Sequence, residues 1–136
     1  MQGRPRFGVY LWVALAAAVG GGLRHALSVA WIASWGDGWP WPTLIVNVAG
    51  SFLIAAFWTL SEPGGRFPLT VERQAAFMGG FCGGFTTFSL FGVETWLLVL
   101  SGRIGQALVY VGLTIAGALL AAALGQALMR PGRRGL

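Results

Sequence analysis

The chain is poor in charge, and that poverty excludes most of what a small protein can be. Only 10% of its 136 residues are charged, and the acids number four: Asp37, Glu62, Glu72 and Glu94. Lysine is absent, and nine arginines leave a net charge of +5. There is one cysteine, Cys82, and one histidine, His25. A lone cysteine excludes an internal disulfide, and one cysteine with one histidine cannot build a zinc site. No nucleophile–base pair or metal cluster is evident, which argues against an enzyme. No basic, aromatic-interleaved soluble surface is present, so nucleic acid is not an expected partner.

What the chain has is apolar length. Hydrophobic residues make up 56% of it, and the mean hydropathy is +0.71. That is too apolar for a soluble domain of this size. Uncharged runs cover 7–23, 38–61, 74–93 and 104–129. A helix that crosses the hydrocarbon core needs about 20 mostly apolar residues. The expected fold is therefore an all-α integral membrane protein, one membrane domain over 1–136. Its helices are expected at about 7–35, 43–61, 71–100 and 104–129. Arg4 and Arg6 before an apolar run resemble the start of a signal peptide. Apolar character resumes after Arg24 and His25, however, and no secreted domain follows.

The loops are marked by breakers. "WGDGWPWP" joins the first two spans, with tryptophans suited to the membrane interface. "EPGGRFPLTVER" joins the next two, with Thr70 as a candidate N-cap, and "SGRIG" is a tight third loop. Four spans put both termini on one side. Arg4, Arg6, Arg66, Arg73, Arg130, Arg133 and Arg134 fall there. Arg103 faces the other side, as does Arg24 if it reaches water. By the positive-inside rule the termini are cytoplasmic.

Polar residues recur inside the apolar runs at helical spacing. Thr43, Asn47 and Ser51 fall at i, i+4 and i+8, so they share a face. Gln106, Tyr110 and Thr114 repeat the pattern in the last span. One reading is hydrogen bonding between helices. The other is a wetted pathway, whose neutral N–H and O–H donors replace the water shell of an anion.

"GGFCGGFTTFSLF", from Gly79 to Phe91, gathers helix breakers and aromatics in one place. Gly79/Gly83 and Gly80/Gly84 are small-xxx-small pairs that favour close helix packing. Gly83-Gly84 followed by Thr86-Thr87 also suggests a backbone break. A break frees carbonyls that need partners at membrane depth, and a cation is one. Phe81, Phe85, Phe88 and Phe91, spaced 4, 3 and 3, read either as one packing stripe or as rings offering their positive edges to an anion. Arg24 either snorkels to water or attracts anions to a vestibule. Glu94 lies at the interface or acts inside the membrane.

Taken together, "GGGLRHAL" (20–27), "PTLIVNVAGSFLIAAF" (42–57) and "GFCGGFTTFSLF" (80–91) resemble the Fluc/CrcB family of small fluoride channels. The resemblance implies passive export of fluoride across the cytoplasmic (inner) membrane, which lowers fluoride toxicity. It also implies an antiparallel, dual-topology homodimer in membrane lipid, with the third helix broken mid-membrane and two separate pores. Asn47, Phe88 and Phe91 match pore positions, and Ser89 falls in the polar track beside them. Tyr110 and Thr114 look like its last-helix polar positions, and Thr43 lies on the Asn47 stripe. Arg24 looks like its first-helix arginine, and Glu94 like its vestibule glutamate. Gly83 and Thr86 match the positions whose backbone carbonyls hold a structural sodium ion at the dimer interface.

Two departures stand out. Leu90 occupies a position where many members carry a hydroxyl, which thins the polar track. Seven arginines against one or two is a strong bias for a dual-topology protein. A small multidrug exporter is the nearest rival, but its first span needs an embedded acid and 7–23 has none. A non-transporting scaffold would leave both polar stripes without a role.

Overall fold

The computed structural model describes residues 7–130, and within them the four apolar runs form four spans. The first is α1 (Phe7–Trp35) and the second α2 (Trp41–Ser61). The third is composite: α3 (Val71–Gln74), a π-helical segment Ala75–Cys82, α4 (Gly83–Phe85) and α5 (Phe88–Leu100). The last is α6 (Ile104–Met129). Each of the four is long and apolar enough to cross a membrane, and no strand occurs among the described residues. The protein is a multi-pass membrane protein. Arg4, Arg6, Arg133 and Arg134 of the charge count lie outside the described residues.

Local chemistry sets the ends. α2 begins at Trp41 rather than Thr43, because Pro42 falls in its first turn, where a missing N–H leaves no helical bond unmade. Thr70 stands at the N-cap of α3 in an extended conformation, but its side chain makes no cap bond. The start of the span is instead tied to the end of α2, where Gln74 Nε2 donates to the Ser61 carbonyl at 2.7 Å. α5 closes through Gly102 at φ 75°, and this left-handed turn lets Arg103 N–H reach the Leu98 carbonyl at 2.9 Å.

α2 packs along α6, and α1 packs along the π-helical segment and α4. Small residues permit both contacts. A methyl added at Gly80 would meet the Val13 carbonyl at 2.7 Å and Ala16 at 2.8 Å. One at Gly84 would strike the Ala17 backbone, and one at Gly20 the Phe81 carbonyl. Gly79 and Gly83 behave differently. Nothing lies within 4 Å of a methyl at Gly79, and only the Met78 carbonyl, at 3.8 Å, approaches one at Gly83. Of the two glycine pairs, one is used inside the chain and the other faces outward.

The phenylalanines also divide. They do not form one stripe, because the break at Thr86-Thr87 splits them. Phe57, Phe77, Phe81 and Phe85 stack in one column, with successive centroids 4.1, 5.4 and 5.8 Å apart. Phe88, Phe91, Tyr110 and Trp39 form a second, at 5.7, 5.2 and 5.3 Å.

Candidate functional site

The break is two residues long. Thr86 (φ −85°, ψ 162°) and Thr87 (φ −150°, ψ 125°) are both extended between α4 and α5. Irregular backbone at membrane depth must find partners for its polar groups, and here side chains supply them. Thr86 folds back, its N–H and its hydroxyl both donating to the Cys82 carbonyl at 2.9 Å. Thr87 caps α5 by accepting the Leu90 N–H at its hydroxyl, 3.2 Å.

Asn47 holds the Thr87 peptide from across the protein. Its Nδ2 donates to the Thr87 carbonyl at 2.9 Å, and its Oδ1 accepts the Thr87 N–H at 2.8 Å. In a continuous helix that N–H would go to the Gly83 carbonyl. Asn47 diverts it, so the amide that bridges the break also deprives Gly83 of its usual helical partner. The next carbonyl, that of Gly84, accepts from Arg24 Nε at 3.4 Å. Arg24 thus sits behind the break.

Nearly two helical turns into α5, Glu94 gathers two of the predicted residues. Thr43 Oγ1 donates to Glu94 Oε1 at 2.9 Å, and the Tyr110 hydroxyl donates to Oε2 at 2.7 Å. Thr43 and Tyr110 are both buried. The cluster is closed: each hydroxyl hydrogen is spent on the carboxylate, and each carboxylate oxygen has a donor. Glu94 and Thr43 also line a cavity of about 510 Å³ that reaches Ser28, Asp37 and Arg103 at the loop end.

On the other side of Phe91 lies a groove of about 400 Å³ between α2, the broken third span and α6. It brings together Asn47, Gly83, Thr86, Phe88, Phe91 and Thr114. Phe91 is buried, whereas Phe88 is 84% exposed at the open side. Thr114 is only 7% exposed, and its hydroxyl finds no hydrogen-bond partner among the described residues. A buried hydroxyl without a partner costs about 1–3 kcal/mol. Asn47 retains a second N–H, since an amide nitrogen carries two and Thr87 takes one. The groove therefore presents unspent neutral donors beside aromatic rings and no fixed charge, a lining suited to a small anion. Phe91 lines the groove and Glu94 the loop-end cavity, and Tyr110 joins the two, ring to ring with Phe91 at 5.2 Å and hydrogen-bonded to Glu94.

Three expected residues join neither the groove nor the Glu94 cluster. Ser89 is exposed and lies against Thr87, hydroxyl to hydroxyl, at 3.3 Å. Arg24 serves the back of the break, and Gln106 is exposed on α6. Three participants have roles that the sequence did not assign. Thr87, read from sequence only as part of the break, is its anchor. Ser28 and Arg103 border the loop-end cavity, and nothing in their spacing marks them.

Comparison with known proteins adds a family. Residues 11–126 match the family described as CrcB-like protein, Camphor Resistance (CrcB). The chain is 37% identical over 122 residues to "Fluoride-specific ion channel FluC 1" of Rhodopseudomonas palustris, covering 90% of this chain and 86% of that one. It is 43% identical over 122 residues to "Fluoride-specific ion channel FluC" of Sphingopyxis alaskensis, covering 87% and 92%. The protein of that name from Opitutus terrae is 43% identical over 99 residues, covering 73% and 75%.

Proposed function

The chain belongs to the CrcB-like family, and from that membership we propose that it is a fluoride channel, passing the ion passively out of the cell across the cytoplasmic membrane. The observation that carries the reading is the groove of unspent neutral donors, above all the buried, unpartnered Thr114 hydroxyl beside Phe88 and Phe91. Fluoride is small and strongly hydrated, so a pathway must replace water's donors without gripping the ion as a fixed cation would. The Thr114 hydroxyl and the remaining N–H of Asn47 do this in the groove. Phe88 and Phe91 add ring edges, which carry the positive part of the aromatic quadrupole. At the loop end, an ion competes with Glu94 for the hydrogens of Thr43 and Tyr110, which a hydroxyl can re-aim by rotation. Ser89 and Thr87 continue the hydroxyl track at the break, and Leu90 interrupts it. Arg24 supports this path by holding the Gly84 carbonyl. The deciding measurement is efflux from liposomes containing the purified protein. Fluoride should leave and chloride should stay; equal passage, or none of either, removes the reading.

The groove is open on one flank, and its working form is a homodimer. The outward Gly79/Gly83 pair and the exposed Phe88 lie on the side that a second copy would cover. An antiparallel copy would add a second groove and close both. It would also double the break carbonyls. The diverted Thr87 N–H leaves the Gly83 carbonyl to be satisfied, and Thr86 carries a second at the bend. Two chains related by a twofold axis in the membrane plane would offer four carbonyls, a hard-oxygen set that suits a structural sodium ion. Such a pair requires both orientations in the membrane. An impermeant thiol reagent on a cysteine added after Arg134, with Cys82 replaced, should then label about half the molecules in intact cells. Labelling near zero or near completion would show a single orientation, as the arginine bias favours, and the shared cation site would fall with it.

A further inference from the structure

At the turn between α1 and α2, four tryptophans line a single pocket. Trp31, Trp35, Trp39 and Trp41, with Gly36 and Gly38, enclose about 370 Å³. Trp31 and Trp35 have centroids 4.5 Å apart at 46°, and Trp39 and Trp41 are 4.5 Å apart at 56°. Interfacial tryptophans usually act singly as anchors. These converge, and the inner wall of the pocket is anchored. Trp39 rests edge-on against Tyr110 at 5.3 Å, and Arg103 Nη1 donates to the Gly38 carbonyl at 3.1 Å. An arginine thus stands at the rim of an indole-lined cup, with further N–H donors unspent.

We propose that this cup binds the headgroup of a zwitterionic phospholipid, with its quaternary ammonium against the indoles and its phosphate on Arg103. Indole faces attract cations, and tryptophan does so most strongly of the aromatic side chains. The phosphate matches the planar guanidinium. The pairing distinguishes the occupant. An anionic glycerol headgroup offers Arg103 a phosphate but gives the indoles nothing. A free organic cation suits the indoles but offers Arg103 no anion. The lining side chains carry only indole N–H donors and no acceptor. A primary ammonium would leave its N–H groups unpaired there, whereas a trimethylated one has none to satisfy. The loops 36–40 and 101–103 lie at the end of the spans, where headgroups are found. Trp35 (72% exposed) and Trp41 (44%) leave the cup open to them.

The test supplies the purified full chain in detergent with equal amounts of phosphatidylcholine, phosphatidylethanolamine and phosphatidylglycerol, and counts retained lipid by native mass spectrometry. Phosphatidylcholine should be retained over phosphatidylglycerol by roughly tenfold, the scale of a desolvated cation–π contact. Phosphatidylethanolamine should fall between them. The pair Trp35→Leu and Trp41→Leu should erase the preference, while Trp35→Phe with Trp41→Phe, which keeps aromatic faces, should retain most of it. Arg103→Gln should reduce choline-lipid retention without creating a preference for the glycerol lipid. Equal retention of all three by the unaltered protein would overturn the proposal, as would an undiminished preference in the leucine pair. Fluoride flux is not the readout, so this claim stands or falls apart from the channel reading.

Discussion

The Thr43–Glu94–Tyr110 cluster and the Asn47–Thr87–Thr114 groove are both polar groups set among apolar helices, and they are finished differently. In the cluster, two hydroxyl hydrogens meet two carboxylate oxygens one to one. In the groove, Asn47 spends its oxygen and one N–H on Thr87, while its second N–H and the Thr114 hydroxyl are left over. A buried polar group is costly unless bonded. Placing an unpartnered one beside a satisfied cluster separates a part whose hydrogen bonds are complete from one whose bonds are not. The two meet where Phe91 of the groove and Tyr110 of the cluster pack ring to ring at 5.2 Å.

The comparison breaks most severely at Asn47, which belongs to both categories. Asn47→Asp keeps an acceptor for the Thr87 N–H but loses the donor to the Thr87 carbonyl, setting oxygen against oxygen at a bond of 2.9 Å. The stranded carbonyl alone costs about 1–3 kcal/mol, and the new charge repels an anion in the groove. Fluoride efflux should fall by roughly 100-fold or more, the product of the two effects. The local break should loosen as well, lowering thermal stability. Efflux near the unaltered rate would take Asn47 out of the pathway and leave it a clamp only. Tyr110→Phe probes the closed cluster. It keeps the ring against Phe91 and Trp39 but leaves Glu94 Oε2 without its donor. Thermal unfolding should show a loss of about 1–3 kcal/mol, and efflux should change by only a few-fold. A large loss of flux with stability intact would mean that the Tyr110 hydrogen serves the ion more than it serves Glu94.

Much of this was legible in sequence, for reasons of length and period. Four uncharged runs can do little except cross a membrane, and the four-residue spacing of Thr43, Asn47 and Ser51 fixes a shared face whatever the neighbours are. The break was also legible, since Gly83-Gly84 and Thr86-Thr87 weaken a helix from both sides. What was hidden is which partner each group takes. The two glycine pairs are identical as motifs, yet Gly80/Gly84 meets α1, while among the described residues a methyl at Gly79 or Gly83 would approach only the Met78 carbonyl, 3.8 Å from Gly83. That depends on the rotation of the third span about its axis, and a π-helical stretch from Ala75 to Cys82 alters that rotation without any residue to announce it. The same limit explains Gln106. It keeps the spacing of Tyr110 and Thr114 but lies one turn nearer the helix start at Ile104, where α6 leaves it exposed. Periodicity gives the face and not how far along the helix that face stays covered.

The smallest expected effect on stability is the most discriminating, and it falls on Thr114. Thr114→Val keeps the branched shape and removes the hydroxyl. Ordinary buried hydroxyls have partners, and losing them destabilises. This one has none among the described residues, so its removal relieves a desolvated donor. Thermal stability should hold or rise by up to about 1 kcal/mol. Flux should move the other way. One neutral donor lost from a lining of few amounts to about 1 kcal/mol at the ion, or a fall of roughly five- to tenfold in fluoride efflux. The opposed signs are what matter. If stability and flux fall together, the hydroxyl has a structural partner that the single chain does not supply, such as a second copy across the groove. If stability rises and flux is untouched, Thr114 faces a space the ion does not enter, and the groove loses the observation that marks it as the pathway.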